Sequence, residues 1–330
     1  MMNLRVEKIN KASDEEWDRI WQNCNYATYF HSREWAEIWN KYSQENIIPT
    51  PQLITFSDKR VAILPFSYQK TFLNLTSCYL SSPAGTFGGW ISTDTLQEDH
   101  MNLLIEYIKH RKVIWRMNPY DKLLLTMPRK DFTYDETQAI DLSNGFETIK
   151  KRWTKGHFSA VHKAQRAQVQ TRVATSSRDW DDYYSIYQKS IKRWGRELSS
   201  LYKKDFFDEV YKRNPAHVKL WLAAYEDKII GGALCLYAKK HVVYWHGAAL
   251  AEYFDLRPIN LLIHDIIDNS IREQYRWFDF NPSGHFEGVK KFKQGFGPIL
   301  LPCPVLDNRT LAIKIILNMY HNIQRIIPFN

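Results

Sequence analysis

The sequence predicts a mixed α/β chain in which one unit, a mostly antiparallel sheet flanked by helices, occurs twice in tandem. Three observations predict it. Two hairpins agree in length and turn position, L-I-T-F-S-D-K-R-V-A-I-L-P-F-S-Y from Leu53 and L-A-A-Y-E-D-K-I-I-G-G-A-L-C-L-Y from Leu222. Each half then runs through a helix into a short strand that stops at an Asn-Pro pair, Asn118-Pro119 in the first and Asn281-Pro282 in the second. The intervals from Asp58 to Asn118 and from Asp227 to Asn281 are similar. At 330 residues the chain has room for about two ordinary domains.

In the first half, Leu4 to Ile9 reads as a strand, and Ser13 with Glu16 three residues on is a capping box for a helix to about Asn23. A second helix runs from Ser32 to Tyr42. The hairpin follows, Pro51 to Phe56 and Val61 to Tyr68 around Ser57-Asp58-Lys59. Tyr79 to Trp90 holds a glycine-marked loop, P-A-G-T-F-G-G-W; a helix over about Leu96 to His110 and the strand V-I-W-R-M complete the half. In the second half the hairpin is Val218 to Tyr225 and Ile229 to Tyr237, followed by a strand from His241 to Ala248 and a helix from about Pro258 to Arg272. The strand W-F-D-F alternates, as a half-buried strand does. Behind it comes a short helix, about Glu287 to Phe296, stopped by Gly297 and Pro298. From Leu311 to Ile327 apolar residues recur at helical spacing, interrupted by Lys314, His321 and Arg325, which predicts an amphipathic docking helix and not a membrane span.

Composition narrows the function. The chain is 44% hydrophobic and 25% charged, which is globular, and 15% aromatic, enough to line a groove as well as a core. Its formal charge of +9 favours an anionic partner. The excess is concentrated between the halves: Lys150, Lys151, Arg152, Lys155, Lys163, Arg166 and Arg172 occur without one Asp or Glu among them, and Lys155, Lys163 and Arg166 are the candidate anion contacts. Cys24, Cys78, Cys235 and Cys303 form no C-x-x-C pair, so neither a zinc site nor a disulfide framework is expected. There is no H-E-x-x-H, P-loop, G-x-S-x-G elbow or G-x-G-x-x-G after a strand. The first residues carry no apolar signal region, and the expectation is a cytoplasmic protein with at most peripheral membrane contact.

These features together resemble the FemAB-like branch of the GNAT acyltransferase superfamily. The resemblance rests on H-S-R-E-W-A-E-I-W, P-A-G-T-F-G-G-W, the segment ending K-A-Q-R-A-Q-V-Q-T-R-V, the hairpin I-I-G-G-A-L-C-L-Y…Y-W-H-G-A-A and the block D-F-N-P-S-G…V-K-K-F-K-Q-G-F-G. It implies two GNAT-like domains, residues 1–142 joined by a returning C-terminal helix at 309–330, and residues 143–308. It also implies transfer of an acyl or aminoacyl group to an amine. The donor, an aminoacyl-tRNA or an acyl-CoA, is a co-substrate, and no tightly bound cofactor is expected. The acceptor is a small-molecule or nucleotide-linked amine, such as a peptidoglycan precursor or a glycan; tRNA is a candidate partner and DNA is not. Two departures stand out. Ser159, Ala160, Val161 and His162 occupy the place of an arginine-rich R-N-I-R. The stretch A-A-L-A-E-Y-F-D-L-R-P-I-N lacks the glycines of an acyl-CoA clamp, whose backbone N–H groups must approach a pyrophosphate closely. The alternatives are an acyl-CoA-dependent sugar N-acetyltransferase and a non-catalytic RNA- or anion-binding module.

Amide formation needs a deprotonated nucleophile, a stabiliser for the tetrahedral oxyanion and a proton for the leaving group. Lys293 matches the functional lysine that the resemblance implies. Asp279, flanked by Phe278 and Phe280, is a candidate base, and His246 in Y-W-H-G a candidate proton shuttle. Substrate-binding candidates are Arg257 at a helix start, Arg193 and Trp194 in K-S-I-K-R-W-G-R, and Tyr244, Asn281 and Ser283 beside the candidate catalytic groups.

Overall fold

A computed structural model describes residues 4–70, 77–125, 132–194, 202–283, 286–311 and 314. The helix expected over Leu311 to Ile327 falls almost wholly outside them. The chain divides into two compact units, Met1–Glu136 with Pro302–Asn330, and Thr137–Leu301.

The first unit begins with β1 (Val6–Lys11) and α1 (Asp14–Asn23), the latter closed at its start by the reciprocal Ser13–Glu16 bonds. After α2 (Arg33–Tyr42) come β2 (Ile47–Pro49), β3 (Gln52–Phe56), β4 (Val61–Leu64), β5 (Ser67–Lys70) and β6 (Ser77–Leu80), then α3 (Glu98–Lys109), β7 (Val113–Arg116) and α4 (Lys122–Leu125). The single returning strand expected over Val61 to Tyr68 is two strands. Pro65 has no N–H to give a ladder, so β4 completes a three-stranded sheet, β1-β3-β4, and β5 joins another, β2-β5-β6-β7. β6 and β7 are parallel, and Trp90, Trp115, Met117 and the apolar face of α3 bury together over them.

β8 (Thr133–Asp141) leads into the second unit: α5 (Phe146–Lys150), α6 (Lys155–Arg166), β9 (Gln170–Val173), α7 (Ser177–Trp194), α8 (Lys204–Tyr211), β10 (Val218–Tyr225), β11 (Lys228–Tyr237) and β12 (His241–Ala249). Then follow α9 (Pro258–Arg272), β13 (Trp277–Asp279) and α10 (Glu287–Gln294); β14 (Ile299–Asp307) belongs from Pro302 on to the first unit, where it pairs with β7. The sheet order is β8-β13-β12-β11-β10-β9, antiparallel except for β12 and β13. β11 runs ten residues unbroken where the first unit has Pro65. One face of this sheet packs on α9 through Cys235, Tyr237, Val242, Phe278 and Phe280; α7 crosses the other.

Candidate functional site

The site is built where β13 runs out. β12 and β13 pair from His241 with Trp277 to Val243 with Asp279, after which β12 continues beyond β13, still paired with β11. A bulge at Trp245 shifts the register, so that Leu234 faces His246 and Cys235 faces Tyr244. An extra residue in one strand sends the side chains before and after it to opposite faces. Tyr244 therefore joins the α9 face, its ring 6.4 Å from that of Phe280. It lies across Gly247, where a Cβ would stand 1.8 Å from its hydroxyl oxygen, and burial pushes its phenol up. His246 goes the other way. Its Nδ1 lies 2.5 Å from the Tyr183 hydroxyl, its ring contacts Tyr187 and Phe207, and burial lowers it to about 4, so it is neutral at pH 7.

The alternation of W-F-D-F settles Asp279. Phe278 and Phe280 fill the α9-side core, so Asp279 points away from it, and it is fully buried. Its Oδ1 accepts the Thr137 hydroxyl at 2.6 Å and the Asn281 N–H, also at 2.6 Å. The second bond is an Asx turn, which supports left-handed backbone at Asn281 (φ 62°). In this conformation the Asn281 carbonyl accepts Lys293 Nζ at 2.7 Å. Lys293 is only 5% exposed, and burial lowers its ammonium to about 8 while the charge of Asp279 works in the opposite direction. On the same turn, Asn281 Oδ1 and Ser283 Oγ are buried and have no hydrogen-bond partner among the described residues, and the same holds for both amide atoms of Gln138 on β8. Such groups are costly to leave unpaired, and a bound ligand is one way to satisfy them.

The sequence around Lys293 explains its burial. Phe296 is fully buried against Trp153, His157 and Phe280, which pulls the end of α10 into the core. His157 donates from Nε2 to the Phe292 carbonyl at 2.9 Å, and the Thr154 N–H reaches the Gly295 carbonyl at 2.9 Å. Gly295 has to be glycine: a Cβ there would meet the His157 ring at 2.2 Å.

Lys293, Asp279 and Asn281 are thus brought together, with Ser283 two residues further along the turn, and His246 is not among them. Arg257 is exposed and left-handed (φ 57°) at the start of α9, behind a 3-10 turn over Ala251–Leu256. Arg193 is exposed on α7 with its guanidinium 4.5 Å from the Phe254 ring centre, on the same turn. The side chain of Trp194 lies outside the described residues. Lys155 stands in the first turn of α6 and lines a shallow recess of about 380 Å³ with Lys150, Lys151, Trp153, Phe158 and Ser159. Further along α6, Lys163 faces Asp255 at 3.7 Å and Arg166 is exposed. The sequence reading missed Thr137 and Gln138: T-Y-D-E-T-Q-A-I-D has no clean alternation, and only the run Thr137 to Ile140 hints at a strand. Among the described residues no group of His, Cys, Asp and Glu is placed to hold a metal, and no helix is long and apolar enough to cross a membrane.

Residues 155–294 match the family model of the acetyltransferase (GNAT) domain. The fold is similar to that of FemX, with a TM-score of 0.68 at 12% identity over 94% of this chain and 100% of that one. It is similar also to L-PGS from Bacillus licheniformis, with a TM-score of 0.58 at 13% identity over 94% and 98% of the two chains. A conserved protein of unknown function from Bacteroides thetaiotaomicron gives 0.55 at 11% identity over 91% and 98%. No curated protein matches the chain in sequence. Residues 155–294 are therefore a GNAT-type acetyltransferase domain, and the chain that carries it is an acyltransferase with a FemX-like fold.

Proposed function

We propose that this protein forms an amide by moving an acyl or aminoacyl group onto a primary amine, with Lys293 at the reacting centre. The observation that carries the reading is the Lys293 ammonium, buried and anchored on the carbonyl of a turn whose Asn281 Oδ1 and Ser283 Oγ have no partner among the described residues. In the step, the acceptor nitrogen bonds to the acyl carbon, the bond to the donor's sulfur or oxygen breaks, and the amine proton leaves with the donor fragment or to water. Lys293 stabilises the oxyanion between these events, and in a dry site a cation does this far better than in water. Asp279 shapes the turn and supplies the counter-charge. Asn281, Ser283 and Tyr244 face the acceptor.

The FemAB-like resemblance of the sequence motifs and the glycine-free turn over Ala251–Leu256 favour an aminoacyl-tRNA donor, with Arg257 and Arg193 meeting its anionic part and Lys155, Lys163 and Arg166 further phosphates. The acceptor we favour is a peptidoglycan-precursor-like, glycan or other nucleotide-linked amine, and we place the reaction in the cytoplasm. The acetyltransferase family match favours a second donor, acyl-CoA, with an amino-sugar acceptor.

The test supplies charged tRNA or acetyl-CoA to the protein with a panel of amino-sugars and amine-bearing precursors. Label transferred from aminoacyl-tRNA supports the first donor, and CoA release the second. Lys293→Ala is expected to lower kcat by about 100-fold. Full turnover in Lys293→Ala would remove the lysine from the mechanism.

A further inference from the structure

We propose that Thr137 is a positioning residue of the transfer site: its hydroxyl clamps the Asp279 carboxylate that shapes the Asn281 turn on which the Lys293 ammonium is anchored. The inference rests on the reading of Lys293 given above. It is carried by three consecutive hydrogen bonds, Thr137 Oγ1 to Asp279 Oδ1 at 2.6 Å, Asn281 N to that same Oδ1 at 2.6 Å, and Lys293 Nζ to Asn281 O at 2.7 Å.

Packing alone does not call for threonine here. Position 137 is fully buried on a strand, where valine has the same shape and no hydroxyl to desolvate. The hydroxyl is bonded to a carboxylate that is itself fully buried and therefore depends on nearby donors to satisfy its oxygens. Two donors on one oxygen also fix the plane of that carboxylate, and with it the Asx turn. A non-glycine residue in left-handed backbone is strained, and such a conformation persists only where its surroundings over-determine it. Thr137 is one of those surroundings. It lies 142 residues before Asp279 in the chain. Other ionisable groups near α10 are His157, bonded to the Phe292 carbonyl, Arg152 against Gly297, and Glu287, Lys290 and Lys291 of α10 itself; α6 also carries Lys155, His162, Lys163 and Arg166.

The experiment compares Thr137→Val and Thr137→Ser with the wild type in two readouts. One is steady-state kinetics. The other is the pH titration of the Lys293 ¹³Cε resonance in the substrate-free protein, assigned by its loss in Lys293→Arg. Without the hydroxyl the turn loosens and the carboxylate is no longer held in place, so its charge supports the ammonium less well. Thr137→Val is expected to lower kcat by about 10–100-fold, the cost of a small misplacement, with KM held within about 3-fold. It is expected to move the Lys293 midpoint from about 8 to lower pH, by about half a unit or more. Thr137→Ser restores both.

An unchanged kcat or an unchanged midpoint in Thr137→Val overturns the proposal. So does an equal loss in Thr137→Ser, which would mark a purely structural site. Thr137→Ala carries the same expectations should the valine variant fail to fold. Full activity in Lys293→Ala sinks the reading of the site itself. An inactive Lys293→Ala beside an unaffected Thr137→Val sinks only this inference.

Discussion

The two units end a parallel strand pair on the same dipeptide and put it to opposite uses. At Asn118 the side chain is consumed by the fold: Nδ2 donates to the Tyr26 carbonyl at 2.7 Å, Oδ1 accepts the Tyr120 N–H at 3.0 Å, and the residue is 1% exposed. At Asn281 the backbone is left-handed, the carbonyl is taken by Lys293, and Oδ1 has no partner among the described residues. The residues two places earlier differ as well. Arg116 on β7 is met by Asp135 at 2.5 Å, whereas Asp279 on β13 is held by a hydroxyl and a turn N–H. Local strain and unpaired polar atoms are unfavourable for stability and are retained where a ligand repays them. One copy of the turn is a lock, and the other is left open.

Removing the cation from the open turn should have the largest effect. Lys293→Met is expected to lower turnover by about 100-fold and to stabilise the protein at neutral pH. A drop from 10.5 to about 8 corresponds to about 3 kcal/mol of destabilisation. Setting about 1 kcal/mol for the lost hydrogen bond against this leaves a gain of about 2 kcal/mol, read by urea unfolding. The sign has a pH signature. Below about 8 folded and unfolded chains both carry the proton, so the cost of the buried charge is complete. Between about 8 and 10.5 the folded state has released a proton that the unfolded state keeps, and the cost fades. The stability gap between Lys293→Met and wild type should therefore narrow as pH rises through that window. A variant no more stable than wild type at pH 7 would break the contrast.

The locked turn should respond in the opposite sense. Asn118→Ala gives up two buried hydrogen bonds and is expected to cost about 2 kcal/mol, with kcat per folded molecule unchanged. A loss of kcat without a loss of stability would mean that this turn is not purely structural. The smallest effect is expected from Asn281→Gly, which suits the left-handed backbone and removes only the side chain. Its stability should stay within about 1 kcal/mol of wild type, because relief of strain offsets the entropy glycine adds to the unfolded chain. The acceptor KM should rise by about 3–10-fold, in line with one lost hydrogen bond. An unchanged KM would remove Asn281 Oδ1 from the acceptor site.

Much of this contrast was legible beforehand, and the gaps have physical causes. Asn118-Pro119 and Asn281-Pro282 mark strand ends in any context, because proline cannot continue a ladder. The same property of Pro65, inside an otherwise apolar run, went unread and splits one strand between two sheets. The bulge at Trp245 left no trace in H-V-V-Y-W-H-G-A-A, yet it alone decides that Tyr244 and His246 face opposite ways. His157 reads as one more polar residue in a basic segment and is in fact a half-buried brace for α10.

By itself the sequence determined what is periodic or capped: the helix starts, the hairpin turns, the alternation that points Asp279 away from Phe278 and Phe280, and the K-F-K-Q-G-F-G helix that only the second half possesses. These follow from interactions within a few residues. The tertiary structure alone decided which groups meet and how dry they are. Thr137 reaches Asp279 only because β8 pairs with β13, and Lys293 is buried only because Phe296 draws α10 into the core. A hydrogen-bond partner and a displaced ammonium pKa depend on what packs against a side chain, and a pattern of neighbours along one segment does not contain that information.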